Sequence, residues 1–350
     1  MSSSSRGIPG AFRRQIDYCA RHGAPFTAAV LDAALAEWHD DAGTLRALLP
    51  DWPGHAWADA LPLRVAGVLH AMVLDGSAPA LAALYPPQRT AFDPTTGALA
   101  LRAALAAQRE RVADYLRVAP QTNEIGRSAA LLGGFAAVAQ HTGLPLATLE
   151  IGASAGLNGL WPHCRFELGA LAWGDAASPV VVRSDWRGTP PALPPAITVA
   201  SQAACDAAPL DLREPGVALR LASYVWPEHA ERLARLRAAV ALAQTRGVPV
   251  ERADALDWCR RELAAARPGR ATVLVHSVMW QYMAEATRAG LRECIDAAGA
   301  RATREAPFAW LSFEPPGGDA PFELALTLWP GGTRRVLARA QAHGAWVEWP

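Results

Sequence analysis

Along the first part of the chain, apolar residues recur every three or four positions, the spacing of a helix that buries one face. Leu31, Leu35 and Trp38 follow this spacing, as do Leu63, Val65, Leu69, Met72 and Val73. The pattern predicts helices from about 12 to 143, broken by Asp and Pro clusters such as Leu49-Pro50-Asp51-Trp52-Pro53-Gly54. One amphipathic helix is predicted over 99–116. Another, capped by Thr122 or Asn123, runs through Ala129, Leu132, Phe135 and Val138 and stops at Thr142-Gly143.

From residue 145 the pattern changes to short apolar runs alternating with helical ones. A strand over 146–151 carries an acid near its end and turns through Gly152-Ala153-Ser154-Ala155-Gly156 into a helix near 157–161. Residues 165–195 read as an inserted β-hairpin. In it Phe166, Leu168 and Leu171 would face Val180, Val181 and Val182 across a turn at Trp173-Gly174-Asp175, with a Pro-rich run over 189–195 closing it. A second strand over 197–203, a helix over 227–246, a short strand over 248–251 and a helix over 254–266 follow. Asp254 stands as the N-cap of the last of these. The strand over 271–278 is apolar on both faces, which places it in the centre of a parallel sheet. A helix over 281–299 and a strand over 308–313 come next. Strands over 322–329 and 335–349, joined by Pro330-Gly331-Gly332 with room for a short helical piece, end the chain. The order predicts an all-helical N-terminal domain, 1–118, and an α/β domain, 119–350. The second domain would hold a Rossmann-like, mostly parallel sheet with an antiparallel C-terminal strand.

Composition narrows the chemistry. The chain is 51% hydrophobic and 19% charged, enough apolar surface for a sizeable core, and its formal net charge is zero. A neutral chain argues against nucleic-acid binding through a basic footprint. All 33 basic residues are Arg, so a lysine Schiff base and a Walker A phosphate loop are excluded. Cys19, Cys164, Cys205, Cys259 and Cys294 form no C-x-x-C pair, and His163-Cys164 is a lone neighbour pair, so neither a disulfide framework nor a metal site is expected. The N-terminus, Met1-Ser2-Ser3-Ser4-Ser5-Arg6, lacks the apolar run of a signal peptide, and no apolar stretch is long enough to span a membrane. The expected location is the cytoplasm.

Five segments carry candidate chemistry. In Leu149-Glu150-Ile151-Gly152-Ala153-Ser154-Ala155-Gly156-Leu157-Asn158, small residues after a strand let backbone N–H groups approach a ligand. Asp206, with Asp211 in reserve, lies just past the second strand, where this kind of fold meets ribose hydroxyls. Asp254 follows the third strand and can cap a helix, contact a ligand, or both. His276, Ser277 and Tyr282 lie at and beyond the end of the central strand. His276 is either a general base or a buried residue bonded to backbone. The polar cluster Gln121, Thr122, Asn123, Glu124 and Arg127 either lies over the ligand site or pairs within a helix surface. Trp161, Trp226 and Trp280 adjoin these segments as pocket or core residues.

The 149–158 segment resembles the first motif of class I S-adenosylmethionine (SAM) methyltransferases, an acid followed by alternating glycines, with Ser154 where that pattern has its middle Gly. The resemblance implies a loop of Gly152, Ser154, Gly156 and Asn158 around the methionine end of SAM, with Glu150 helping to hold its amino group. It also implies that Asp254 reads the adenine amino group and that His276 and Ser277 face the transferred methyl. More broadly, Gln121-Thr122-Asn123-Glu124, the 150–158 segment, 206–211, Val225-Trp226-Pro227-Glu228 and His276-Ser277 resemble a family of uncharacterised bacterial proteins catalogued as a domain of unknown function. That resemblance covers about 110 to 315 and implies a methyltransferase-like fold without an established activity.

The function expected is therefore SAM-dependent methyl transfer to a small molecule. His276, Glu124 or Tyr282 would be the base, and Gln121, Asn123, Arg127 and Trp226 would lie on the substrate side. The alternative is a non-catalytic SAM- or nucleotide-binding, or interaction, protein on the same fold. An NAD-linked oxidoreductase fits less well, because the third glycine is missing and the terminal strands are antiparallel.

Overall fold

The structure is a computed structural model that describes residues 7–50 and 52–350. The N-terminal segment over 1–6 and Asp51 of the Pro-rich break lie outside the described residues. The helices begin with α1 (Ile8–Arg21), α2 (Pro25–His39), α3 (Thr44–Leu48), α4 (Leu61–Leu74), α5 (Pro79–Ala82), α6 (Pro94–Ala107), α7 (Arg109–Arg117) and α8 (Ser128–Thr142). Strands β1 (Leu146–Ile151), β2 (Arg165–Leu168), β3 (Leu171–Gly174), β4 (Val181–Arg187) and β5 (Val199–Asp206) follow. Then come α9 (Pro215–Ser223), α10 (Ala230–Arg246), β6 (Val250–Arg252), α11 (Ala255–Glu262), β7 (Ala271–Ser277) and α12 (Glu285–Ala300). The chain ends in β8 (Phe308–Glu314), β9 (Phe322–Trp329), β10 (Thr333–Ala340) and β11 (Trp346–Glu348).

The chain divides into two compact units. One takes the chain up to Thr122 together with Glu214–Ala234; the other takes Asn123–Arg213 and Arg235–Pro350. The segment Glu214–Ala234, read from sequence as part of the α/β domain, therefore clusters with the helices.

In the helical unit, α2, α5 and α6 begin on a proline, whose fixed φ suits the first turn. Asp93 caps α6 by accepting from the N–H groups of Thr95 and Thr96. The core gathers Phe12, Phe26, Leu31, Leu45, Val65, Leu69, Met72 and Tyr85. The single helix expected over 99–116 is two, because Gln108 leaves helical geometry (φ −127), and its side chain bonds Ser77. The helix expected from Pro227 begins only at Ala230. Glu228, just before it, accepts from the backbone N (3.0 Å) and hydroxyl (2.6 Å) of Thr27 in the first turn of α2.

The second unit holds an eleven-stranded sheet in the order β3-β2-β4-β11-β10-β9-β8-β7-β1-β5-β6. From β8 to β6 all neighbours are parallel, and β9 pairs antiparallel with β8. The chain leaves β1 toward β5 and β6, then returns to the other side of β1 for β7 and β8, so strand order reverses between β1 and β7. Leu149 and Ile151 face a core with Trp258, Leu274, Leu291 and Ile295 beneath α11 and α12. Thr148 and Glu150 face the other way, toward Leu131 and Phe135 of α8. That helix packs closely because Gly133 and Gly134 leave room for Trp349 and Leu311.

Several local readings are corrected. Neither Thr122 nor Asn123 is the N-cap of α8: that helix starts after a 3-10 turn over Ile125–Arg127, whose cap is Glu124. The segment after the loop is a 3-10 helix over Leu157–His163 with Pro162 inside it. In the insert the tight turn lies between β2 and β3, and β4 runs parallel to β2 rather than closing a hairpin with it. The last strand splits into β10 and β11, with no helical piece after β9. Among the described residues no helix is long and apolar enough to cross a membrane.

Candidate functional site

The carboxyl ends of β1, β5, β7 and β8 bring most of the singled-out residues to one rim. After β1 the backbone alternates: Gly152 (φ 68), Ser154 (φ 54) and Gly156 (φ 72) are all left-handed. Ser154 thus takes the conformation that favours glycine, at a strain cost of roughly 1 kcal/mol or more. Its N–H donates to Asp206 Oδ2 at 2.8 Å and its carbonyl accepts from Leu210 N at 3.1 Å, which holds the bend. Its hydroxyl is buried without a partner. The other end of the loop is fixed by Asn123, whose Oδ1 accepts from Leu157 N at 2.8 Å.

Glu150 lies opposite Ala204 and Val275 and is only 8% exposed. Burial raises its carboxyl to about 8, against the opposing pull of the Asn158 hydrogen bond and the Arg127 charge; the Asp206 charge adds to the rise. Asn158 also reaches Ser277 Oγ at 3.5 Å, while its Oδ1 has no partner. Between this group, Thr148, Phe135 and Trp161 lies a small cleft with room for roughly one water molecule.

Asp206 accepts from Ser154 N with Oδ2 and from Ala208 N with Oδ1, both at 2.8 Å. A carboxylate has about four acceptor positions, so each oxygen keeps a lone pair for a ligand hydroxyl. Asp254, at the end of β6, caps α11 through Oδ1, which accepts from Leu256 and Asp257. Asp211 pairs with Arg213 at 2.7 Å, which lowers its carboxyl to about 2.

His276 is 1% exposed and engaged at both nitrogens. Trp310 Nε1 donates to its Nε2 at 2.9 Å, so the ring proton sits on Nδ1 and is donated to Glu314 Oε1 at 2.7 Å. Acting as a base would require breaking one of these bonds. Glu314, at the end of β8, was not singled out from sequence. The signal for it was positional only, an acid closing a strand beside the central one. Its Oε1 also accepts from the N–H groups of Met279 (3.1 Å) and Trp280 (3.3 Å), and its Oε2 is buried without a partner.

Glu124 accepts from Gly126 N at 2.9 Å and pairs with Arg235 at 3.2 Å, both side chains being largely buried. Arg127, 7% exposed, donates from Nε to Ala342 O at 3.2 Å. Tyr282 sits on a 3-10 turn over Trp280–Tyr282 and is 78% exposed. Gln121 and Trp226 belong to the helical unit, where the Trp226 ring meets Tyr18 edge-on at 6.2 Å. Trp161 stacks on Phe135 at 4.6 Å as a core residue.

No curated protein matches the chain, and neither does any solved structure. A family model described as an uncharacterized protein conserved in bacteria spans residues 10–349, and the chain belongs to that bacterial family, DUF2332.

Proposed function

We propose that the rim binds SAM and that the protein transfers its methyl group to a small molecule. The observation that carries this reading is the left-handed alternation at Gly152, Ser154 and Gly156 where strand order reverses, with Glu150 before it and Asp206 beside it. In open parallel sheets ligands bind at that place. The residues fit the group: Glu150 offers a carboxyl for an amino group, and Asp206 offers lone pairs for two hydroxyls. Ser154 Oγ and Asn158 Oδ1 supply two further buried polar atoms without partners.

When bound, SAM supplies a methyl already activated on a sulfonium. The chain's own work is to bind, to orient and to keep protons in place. Glu150, held protonated near neutral pH by burial, gives up its proton when a cation comes beside it, because the opposite charge favours the carboxylate. Asn158 orients that carboxyl, and Ser277 holds Asn158. Asn123 and Asp206 keep the loop bent before any ligand arrives, so the ordering cost on binding is small. Of the three candidate bases, Glu124 and His276 are tied into buried pairs, whereas Tyr282 is open to solvent.

Thermal unfolding with SAM or S-adenosylhomocysteine tests the reading. Ligand at about 100 times its dissociation constant adds about 2.7 kcal/mol. Calorimetry at pH 7 in buffers of different ionisation enthalpy should show about one proton released per site, and Glu150→Gln should abolish the release. Absence of any shift with either ligand at millimolar concentration overturns the proposal. Met279 lies against Gly152. That favours a second reading, a non-catalytic protein on the same scaffold. Binding without turnover of SAM across a panel of small nucleophiles supports it.

A further inference from the structure

The turn after β7 is built against its own conformational preference. Val278 has φ 55, a left-handed backbone that a β-branched residue rarely adopts. Its neighbours hold it there. Val278 N donates to Phe313 O at 3.0 Å, and the next two N–H groups, of Met279 and Trp280, converge on Glu314 Oε1. The same oxygen takes the His276 Nδ1 proton, and Trp310 fixes that tautomer from the other side of the ring. Trp280 then stacks on His276 at 5.0 Å with 21° between the planes.

This places the Met279 side chain on the loop. Its Cγ and Cβ stand 2.7 and 2.8 Å from where a Cβ on Gly152 would be, so only glycine fits and its open face is covered by a thioether. Met is unbranched and flexible, so Cγ and Cε can swing aside by side-chain rotation, while Cβ moves only with the strap backbone. The closed arrangement also leaves Glu314 Oε2 buried and unmatched, a cost that favours opening.

We propose that Glu314 is a positioning residue that holds 278–282 as a latched strap, with Met279 as the plug that decides what can approach Gly152. The strap stands on its own geometry; only the identity of what it admits rests on the function proposed above. A ligand at the loop must displace the thioether, so Met279 sets its affinity.

Site-resolved hydrogen exchange of the full chain tests the latch without any ligand. Glu314→Ala should speed exchange at the Met279 and Trp280 amides by about tenfold or more. The Ser154 and Leu157 amides, held by Asp206 and Asn123, should stay protected. Glu314→Gln, whose amide oxygen can still accept, should restore part of the protection, and it carries the test if the alanine variant does not fold. Met279→Ala should speed exchange at the Gly152 amide and leave that of Trp280 unchanged. Unchanged exchange at Met279 and Trp280 in both Glu314 variants overturns the latch. Unchanged exchange at Gly152 in Met279→Ala overturns the plug. In calorimetry, Met279→Ala should bind S-adenosylhomocysteine about tenfold more tightly than the unmodified chain. Exchange changes as expected with no binding by any variant would uphold the strap and refute SAM as the ligand.

Discussion

Glu37 in the helical unit and Glu314 at the sheet rim are both acids drawn into the protein interior, and they are used differently. Glu37, 4% exposed, accepts from Thr44 N (2.5 Å) and Leu45 N (3.0 Å) with its two oxygens and so caps α3. Glu228 does the same for the first turn of α2, and Arg64 satisfies the carbonyls of Asp59 and Leu116. Among the described residues of this unit, Tyr224 has a hydroxyl that is buried without a partner. At the rim, Glu314 crowds its donors onto one oxygen and leaves the other empty, and Ser154 and Asn158 also carry unmatched atoms. An unmatched buried group costs about 1–3 kcal/mol, and outside the rim the described residues also include Ser184 Oγ, Trp186 Nε1 and Trp349 Nε1 as such atoms, so the contrast is between Glu37, Glu228 and Arg64 on one side and the rim on the other. Under the function proposed above, the unmatched groups at the strand-order reversal are the ones a ligand would meet.

Substitutions at both places can break that contrast. The largest effect is expected for Arg64→Ala, which leaves the buried Leu116 carbonyl and the half-buried Asp59 carbonyl unmatched and should cost about 3 kcal/mol in urea unfolding. Glu37→Ala should follow, at about 2 kcal/mol, through loss of the α3 cap. At the rim the sign should reverse. The folded state holds the Glu150 proton up to about pH 8, whereas an unfolded chain releases it near the usual glutamate value of about 4.3. Between those limits the native state binds more protons, so stability falls as pH rises, and it levels off above about 8. Glu150→Gln should remove that slope, so its gain over the unmodified chain is near zero at about pH 4 and grows steadily up to about pH 8. The smallest effect is expected for Ser154→Gly, a gain of about 1 kcal/mol from relieved backbone strain. Loss of stability in Glu150→Gln and Ser154→Gly together would show that the rim, like the helices, is built only for folding.

Much of the sheet was legible because its signals are local. The run over Ala271–Ser277 is apolar on both faces and is the parallel strand β7, flanked by β1 and β8. Asp254 reads as an N-cap and is one, and Gly143 ends α8 in the left-handed conformation. The insert was misread because parallel pairing of β2 with β4 leaves no turn signature between them. Glu314 was missed for a related reason: nothing within a few residues of it tells that His276, Met279 and Trp280 all donate to it.

The sequence by itself determined where the chain would bend and bury: period in the helices, apolar runs in the central strands, and small residues after β1. It also placed an acid at each of several strand ends. Only the tertiary structure decided which of those acids are engaged. Asp254 is turned to capping, Asp206 to bracing the loop, Glu150 to a buried and protonated state, and Glu314 to holding the strap. Those outcomes depend on desolvation and on donors brought from far along the chain. Both are properties of packed neighbours and not of local sequence.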